Sequence, residues 1–403
     1  MPCGSNQSLD SRQVQGDMRV LHFYKTAFPD TVGGVEQVIN QIARGASKEG
    51  VETDVLSLTP DRVQRTIEID GYMAHRARLD LQIASTGVSV SALLRFMQLA
   101  KKADVIHYHF PWPFMDLVHF ATMVKKPTVV TYHSDIIRQK HLLKIYRPLK
   151  WKFLGDVSRI VATSPNYLAT SKVLAKFRHK VSVIPIGIDK ETYPIVSSEK
   201  QAYWCDKLGP KFFLFVGVIR YYKGLHILME AAKGVDYPIV IVGAGPIENE
   251  LKQQSARLGL ANIHFLGHLS DEDKVALLTL CYGVLFPSHL RSEAFGVSLL
   301  EGAMYGKPMI SSEIGTGTTY INIADETGLV VPPGDSNALR QAMQYLWEHP
   351  EQAVVMGQRA AQRYWQYFTA DKMVRSYVDL YYEVSGIVPK NQMPDKACLM
   401  SAE

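Results

Sequence analysis

The chain has 403 residues, 47% hydrophobic and 21% charged, a composition that excludes a disordered or fibrous protein and is long enough for two domains of ordinary size. Its net charge of +5 is unevenly placed: residues up to Lys190 hold 26 Lys+Arg against 16 Asp+Glu, and the remainder 18 against 23, so the first half should face something anionic. No apolar run reaches the roughly 18 residues of a membrane span, and Cys3, Cys205, Cys281 and Cys398 are too scattered for a zinc site or a disulfide framework, which suits a reducing cytoplasm.

Met1 to Asp17 is polar, lacks the apolar middle of a signal peptide, and reads as a flexible leader. A strand follows at Arg19 to Tyr24, then a turn with Gly33-Gly34, then Val35, Val38, Ile39, Ile42 and Ala43 at helical spacing. Further strands are expected at Asp54 to Leu58, Val105 to His109, Thr128 to Tyr132, Arg159 to Thr163 and Val181 to Ile184, with helix-length segments between most of them. The pattern lapses from Thr192 to Ser198 and restarts with strands at Phe212 to Val218, Ile239 to Val242, His264 to Leu266, Gly283 to Phe286, Met309 to Ser311 and Gly328 to Val331. Alternating strands and helices predict two α/β domains with parallel sheets, 18–190 and 199–370, and a last helix from Asp371 to Val384. Ligands of such sheets bind beyond the carboxyl ends of the strands, so chemistry belongs on the loops that follow them.

Four such loops stand out. Gly33-Gly34 between strand and helix suits either a tight turn or a phosphate held by backbone N–H groups. Arg220 and Lys223, in Val216 to Gly224, place two cations after a strand, where they neutralise a leaving diphosphate or sit solvated on the surface. Glu293 and Glu301 are separated by seven residues, among them Ala294-Phe295-Gly296-Val297; with a helix beginning at Ala294, Glu301 falls two turns in, either beside Glu293 over a ligand or on a wet face. Gly243-Ala244-Gly245 imitates a dinucleotide fingerprint, but Glu248 occupies the third glycine position, which argues against a nicotinamide-dependent oxidoreductase or epimerase. Two of the three histidines His107, His109 and His133 share a strand face, open to metal ligation or to packing and substrate contact, of which the second is favoured.

The ordered set Gly33-Gly34-Val35-Glu36, Lys223-Gly224, Gly243-Ala244-Gly245-Pro246, Phe265-Leu266-Gly267, Ser292-Glu293-Ala294-Phe295-Gly296 through Glu301, and Thr327 to Asp335 resembles glycosyltransferase family 4 and spans most of the chain. That resemblance implies a GT-B fold: two Rossmann-like domains facing across a deep cleft, a helix at 371–386 returning to the first domain, and a flexible tail at 387–403. It further implies a nucleotide-sugar donor held mainly by the second domain, retention of configuration, and no required metal or other cofactor. By residue match, Glu301 would hold the ribose, and Glu293 with Ala294, Phe295, Gly296 and Val297 the transferred sugar. Lys223 and Arg220, with the N–H of Gly34, would grip the diphosphate; Gly243, Gly245 and His268 would lie near the nucleotide; His133 would touch the sugar. Relatives often carry arginine directly after the loop glycine, where this chain has Val218, which leaves Arg220 less secure than Lys223.

Val20 to Lys25 and Arg291 to Gly296 look similar to bacterial mannosyltransferases of surface-polysaccharide (O-antigen, lipopolysaccharide) biosynthesis, which implies GDP-mannose as donor and a lipid-linked glycan acceptor, with UDP-sugars open. A non-catalytic nucleotide-sugar-binding protein is the remaining alternative, and nucleic acid is not an expected partner. Arg138 to Phe153 carries six Lys/Arg, no acid, and Ile145, Tyr146, Leu149, Trp151 and Phe153 among them. It suits a peripheral contact with an anionic membrane or a helix covering the core, and the basic first half favours the membrane.

Overall fold

The computed structural model describes residues 18–31, 33–61, 65–83, 86–136 and 140–388, the side chains of 140–143 excepted. The leader, most of the tail, Cys3, Cys398 and Arg138 lie outside the described residues.

Strands β1 (Arg19–Phe23), β2 (Glu52–Thr59), β3 (Thr66–Ile69) and β4 (Tyr72–Arg78) precede a small antiparallel pair, β5 (Leu81–Ile83) and β6 (Thr86–Val88). Next come β7 (Val105–Phe110), β8 (Thr128–Tyr132), β9 (Arg159–Ala162) and β10 (Val181–Val183). The first sheet has the order β10-β9-β8-β7-β1-β2-β4-β3, parallel except for the β3–β4 hairpin. β7 and β8 are buried along their whole length, as strands covered on both faces must be. The second sheet comprises β11 (Phe213–Val216), β12 (Ile239–Val242), β13 (Ile263–Gly267), β14 (Gly283–Phe286), β15 (Met309–Ser312) and β16 (Gly328–Val331). Its order, β13-β12-β11-β14-β15-β16, is all parallel and reverses direction between β11 and β14, where ligands of doubly wound sheets bind.

The sequence missed β3 to β6. The β3–β4 hairpin turns on Asp70-Gly71, both at positive φ, a strong hairpin signal. Its alternation is obscured because β4 turns polar side chains inward: His75 meets Asp54 at 2.7 Å, and Arg76 pairs with Asp30 and Asp61.

One apolar core runs from Val20, Val105 and Val129 of the first sheet to Leu214, Val284 and Met309 of the second. The link is helix Ala370–Ser385, which contributes Met373, Val374, Tyr377 and Tyr381 to that core and returns to the first domain as the resemblance implied. Tyr381 Oη lies 2.7 Å from His107 Nδ1, Tyr377 Oη 2.8 Å from Thr131 Oγ1, and Arg159 donates to Glu383 at 2.5 Å. The interdomain geometry is therefore fixed by the same helix that seals the first sheet.

The basic segment proves to be helix Lys140–Asp156. Phe153 and Leu154 are buried in the first core, and Tyr146 donates to Asp116. Trp151 is half-buried, with Lys150 and Lys176 over its ring. The helix covers the core, and of the apolar residues expected to meet lipid only Ile145 is fully outside, 80% exposed.

Candidate functional site

The loop after β11 ends in a short turn, Tyr221–Lys223, and Gly224 at φ +74°. A side chain at Gly224 would stand 2.0 Å from the Pro287 carbonyl oxygen, so glycine alone lets this loop lie against the end of β14. That contact carries Lys223 inward. Its ammonium sits 4.8 Å from the centre of the Phe286 ring and pairs with the Glu293 carboxylate, which also accepts from Ser288 Oγ at 3.3 Å. Burying either charge alone would be costly, so each makes the other tolerable. Arg220 is exposed, and its guanidinium makes no hydrogen bond among the described residues. Its neighbour across the cleft is Lys25, at the end of β1. Burial lowers that ammonium, the Glu36 carboxylate opposes, and Arg220 adds to the lowering.

Glu293 lies in a turn closed by its own N–H to the Leu290 carbonyl at 3.0 Å, and the Ala294 carbonyl accepts from Gly317 N–H at 2.9 Å. The helix that follows is Val297–Met304, capped by Gly296 at φ +104°. It begins three residues later than expected, because Ala294 and Phe295 are held by the Gly317 loop and by core packing. Glu301 consequently sits just over one turn in, and the wet-face alternative fails: the residue is 4% exposed. Its Oε1 accepts from Tyr193 Oη at 2.9 Å and lies 3.2 Å from Lys274 Nζ. Burial acts to lower the Lys274 ammonium, but Glu301 and Asp271 outweigh it and leave it raised. Burial and then Glu301 push the Tyr193 phenol upward, so it remains a donor.

Gly34 opens the helix Gly34–Lys48, and a side chain there would meet Val297 Cγ2 at 3.7 Å. The amino ends of two helices from opposite domains thus face one another beside Lys223 and Glu293, a positive field suited to phosphate. Gly33 precedes the helix, with the Glu36 carboxylate folded over it. Gly243 and Gly245 have a packing reason: side chains would stand 2.0 Å from the Gly217 carbonyl oxygen and 2.1 Å from that of Ile219. The Gly243 N–H is engaged by the Gly267 carbonyl at 2.7 Å, which also excludes a nicotinamide fingerprint of free amides there. His268 follows at the exposed rim of the same sheet end.

His133 follows β8; its N–H donates to the Phe110 carbonyl at 3.0 Å and its ring is buried. Its Nε2 lies 3.0 Å from His109 Nδ1, and His109 Nε2 lies 3.0 Å from His22 Nδ1. His107 is saturated separately, by Tyr381 and by Thr131 Oγ1 at 2.7 Å. Burial pushes His22 and His133 down to about 3 and His107 and His109 well below their usual value, so all four are neutral at neutral pH. Nitrogens of His22, His107 and His109 lie within 4.8 Å of one another, yet every ring nitrogen of His107 and His109 already has a hydrogen-bond partner.

The structure therefore sets Lys223 against Glu293 and Gly34 against Val297, on the helix that carries Glu301, with Gly296 at the cap of that helix, Phe295 packed in the core and Arg220 exposed. Sequence reasoning missed Lys25, Tyr193, Lys274 and a bridge between domains. In that bridge Arg291 lies 3.4 Å from Asp135 and donates to Thr170 Oγ1 at 3.0 Å and to the Gly315 carbonyl at 2.7 Å. Lys25, a cation at a strand's carboxyl end, was the one legible from position. Among the described residues no helix is long and apolar enough to cross a membrane.

Residues 32–192 match the family model described as Glycosyltransferase Family 4, and residues 199–363 the one described as Glycosyl transferases group 1. The chain is 63% identical to D-rhamnosyltransferase WbpZ of Pseudomonas aeruginosa over 88% of this chain and 93% of that one. It is 48% identical to O-antigen chain mannosyltransferase C of Escherichia coli, over 90% of this chain and 98% of the relative. Among solved structures, sucrose-phosphate synthase from Thermosynechococcus elongatus superposes with a TM-score of 0.76 at 18% identity, covering 92% of this chain and all of that one, a likeness of fold.

Proposed function

Because the chain belongs to glycosyltransferase family 4, we propose that it transfers a D-manno-configured hexosyl group from a GDP-sugar, with retention, onto a lipid-linked glycan of bacterial surface polysaccharide. One observation carries this reading: two helix amino ends, Gly34 and Val297, meet across the cleft, the second on the loop and helix that carry the half-buried Glu293, paired with Lys223, and the buried Glu301. Lys223, Arg220 and Lys25 neutralise the departing diphosphate, so the positive charge that a metal would bring is supplied by side chains and helix dipoles. Glu301, held in place by Lys274 and Tyr193, accepts from the ribose hydroxyls; Glu293 and the backbone near Phe295 and Gly296 orient the sugar. His133 contacts that sugar from the first domain. A donor phosphate oxygen on the same face assists removal of the acceptor proton.

The sequence resemblance favoured mannose. D-rhamnose is the same sugar without its 6-hydroxyl, and the 63% identity to a D-rhamnosyltransferase makes GDP-D-rhamnose the first donor to test. The acceptor site faces the cytoplasmic side of the membrane, with exposed Lys144, Ile145, Arg147 and Lys152 as the peripheral contact. Nucleoside diphosphate release from GDP-D-rhamnose, GDP-mannose and UDP-glucose, with and without chelator, tests the reading, and NMR of the product gives the anomer. Turnover with a GDP-sugar, unaffected by chelator and giving the α-anomer, is expected; preference for UDP-glucose, chelator inhibition or an inverted anomer would each overturn the corresponding part.

A further inference from the structure

The ring centroids of His22 and His109 are 5.3 Å apart with planes 17° from parallel, and those of His109 and His133 5.3 Å apart at 20°. With nitrogens 3.0 Å apart in both pairs, each centroid separation equals the hydrogen bond plus one ring radius at either end. The rings are therefore nearly coplanar and joined end to end, not stacked face to face. His107 differs: its centroid lies 4.3 Å from that of His109, so it packs across the chain rather than within it.

A neutral imidazole has one donor and one acceptor, so hydrogen bonds through successive rings must all run in the same direction. The inner end of the chain fixes which. His22 Nε2 is buried with no hydrogen-bond partner among the described residues. A stranded N–H is less tolerable than a stranded lone pair, so the proton of His22 belongs on Nδ1, where it donates to His109 Nε2. His109 then carries its proton on Nδ1 and donates to His133 Nε2. His133 is left with its proton on Nδ1, the nitrogen that makes no hydrogen bond among the described residues.

We propose that His22 and His109 are positioning residues that hold His133 as the Nδ1–H tautomer, so that it presents a fixed hydrogen-bond donor to an oxygen of the sugar in the cleft. This rests on the reading of His133 as a sugar contact. A neutral histidine side chain in water prefers the other tautomer, so the state is a signature of the hydrogen-bonded row of rings. Burial of all four histidines keeps the imidazolium from competing.

Long-range proton–nitrogen NMR of the full chain, labelled at histidine and assigned by loss of resonances in single variants, reads the tautomers directly. His22, His109 and His133 should all be neutral with the proton on Nδ1. His109→Phe should release His133 toward the Nε2–H form and lower kcat/KM for the donor about tenfold while leaving nucleoside diphosphate affinity unchanged. His109→Asn, whose amide can donate to His133 from the same place, should restore both tautomer and rate. A wild-type His133 found as Nε2–H or imidazolium would overturn the proposal, and that spectrum needs no variant of His109 to fold. An Nδ1–H His133 whose own replacement by alanine left turnover unchanged would overturn the sugar contact instead, with the direction of the chain standing.

Discussion

Apart from Lys25 and Glu36, near the end of β1 and the start of the helix that follows it, the two faces of the cleft are built from opposite materials. On the second-domain side, buried charges compensate one another: Lys223 with Glu293, Lys274 with Glu301. On the first-domain side, behind His133, the polar groups are neutral imidazoles and hydroxyls that satisfy each other from the C-terminal helix to the strand ends. Charge gathers where a diphosphate would leave, because a preorganised field acts most strongly there. Neutral donors and acceptors gather where a sugar would be read by its hydroxyls and a stray charge would trap it.

Removing one charge is the severest way to break this division. Lys223→Ala is expected to cost about 2–4 kcal/mol of transition-state stabilisation, a fall of roughly 30- to 900-fold in kcat/KM; an unchanged rate would move the leaving-group role to Arg220 or Lys25. On the neutral side the corresponding stress is acid. The unfolded chain takes up protons at its histidines below 6.5, whereas native His22 and His133 do so only near 3, so the stability they contribute is complete above 6.5 and lost as pH falls through that window. By about pH 5.5 each should have removed about 1.4 kcal/mol of unfolding free energy. Denaturant titrations at neutral and acid pH measure this, and His22→Phe should flatten the slope by one proton. The smallest effect is expected at the half-buried bridge between the faces, where an asparagine in place of Asp135 keeps an oxygen to accept from Tyr132. Asp135→Asn should change stability by less than about 1 kcal/mol, visible as a small shift in Tm.

What the sequence disclosed follows the same divide. The buried central strands were legible because both faces are covered and their apolar runs are continuous, as in Thr128–Tyr132 and Ile239–Val242. The β3–β4 hairpin was not, since Arg76 and His75 point inward to partners in other elements. The spacing of Glu293 and Glu301 was readable, but Tyr193, 108 residues from Glu301 in sequence, and Lys274, on a helix whose first turn is acidic, reach it only through tertiary packing. His22 became meaningful only when sheet order set it opposite His107, a register no local pattern encodes.

The most direct test of the division of labour within the charged face is calorimetric titration of GDP into the wild-type chain, Glu301→Ala and Glu293→Gln. Ten- to hundredfold weaker binding, roughly, is expected for Glu301→Ala, from lost hydrogen bonds to a carboxylate, with near wild-type affinity for Glu293→Gln despite its slower turnover. Equal affinities in all three proteins, or the loss falling on Glu293→Gln, would contradict the account.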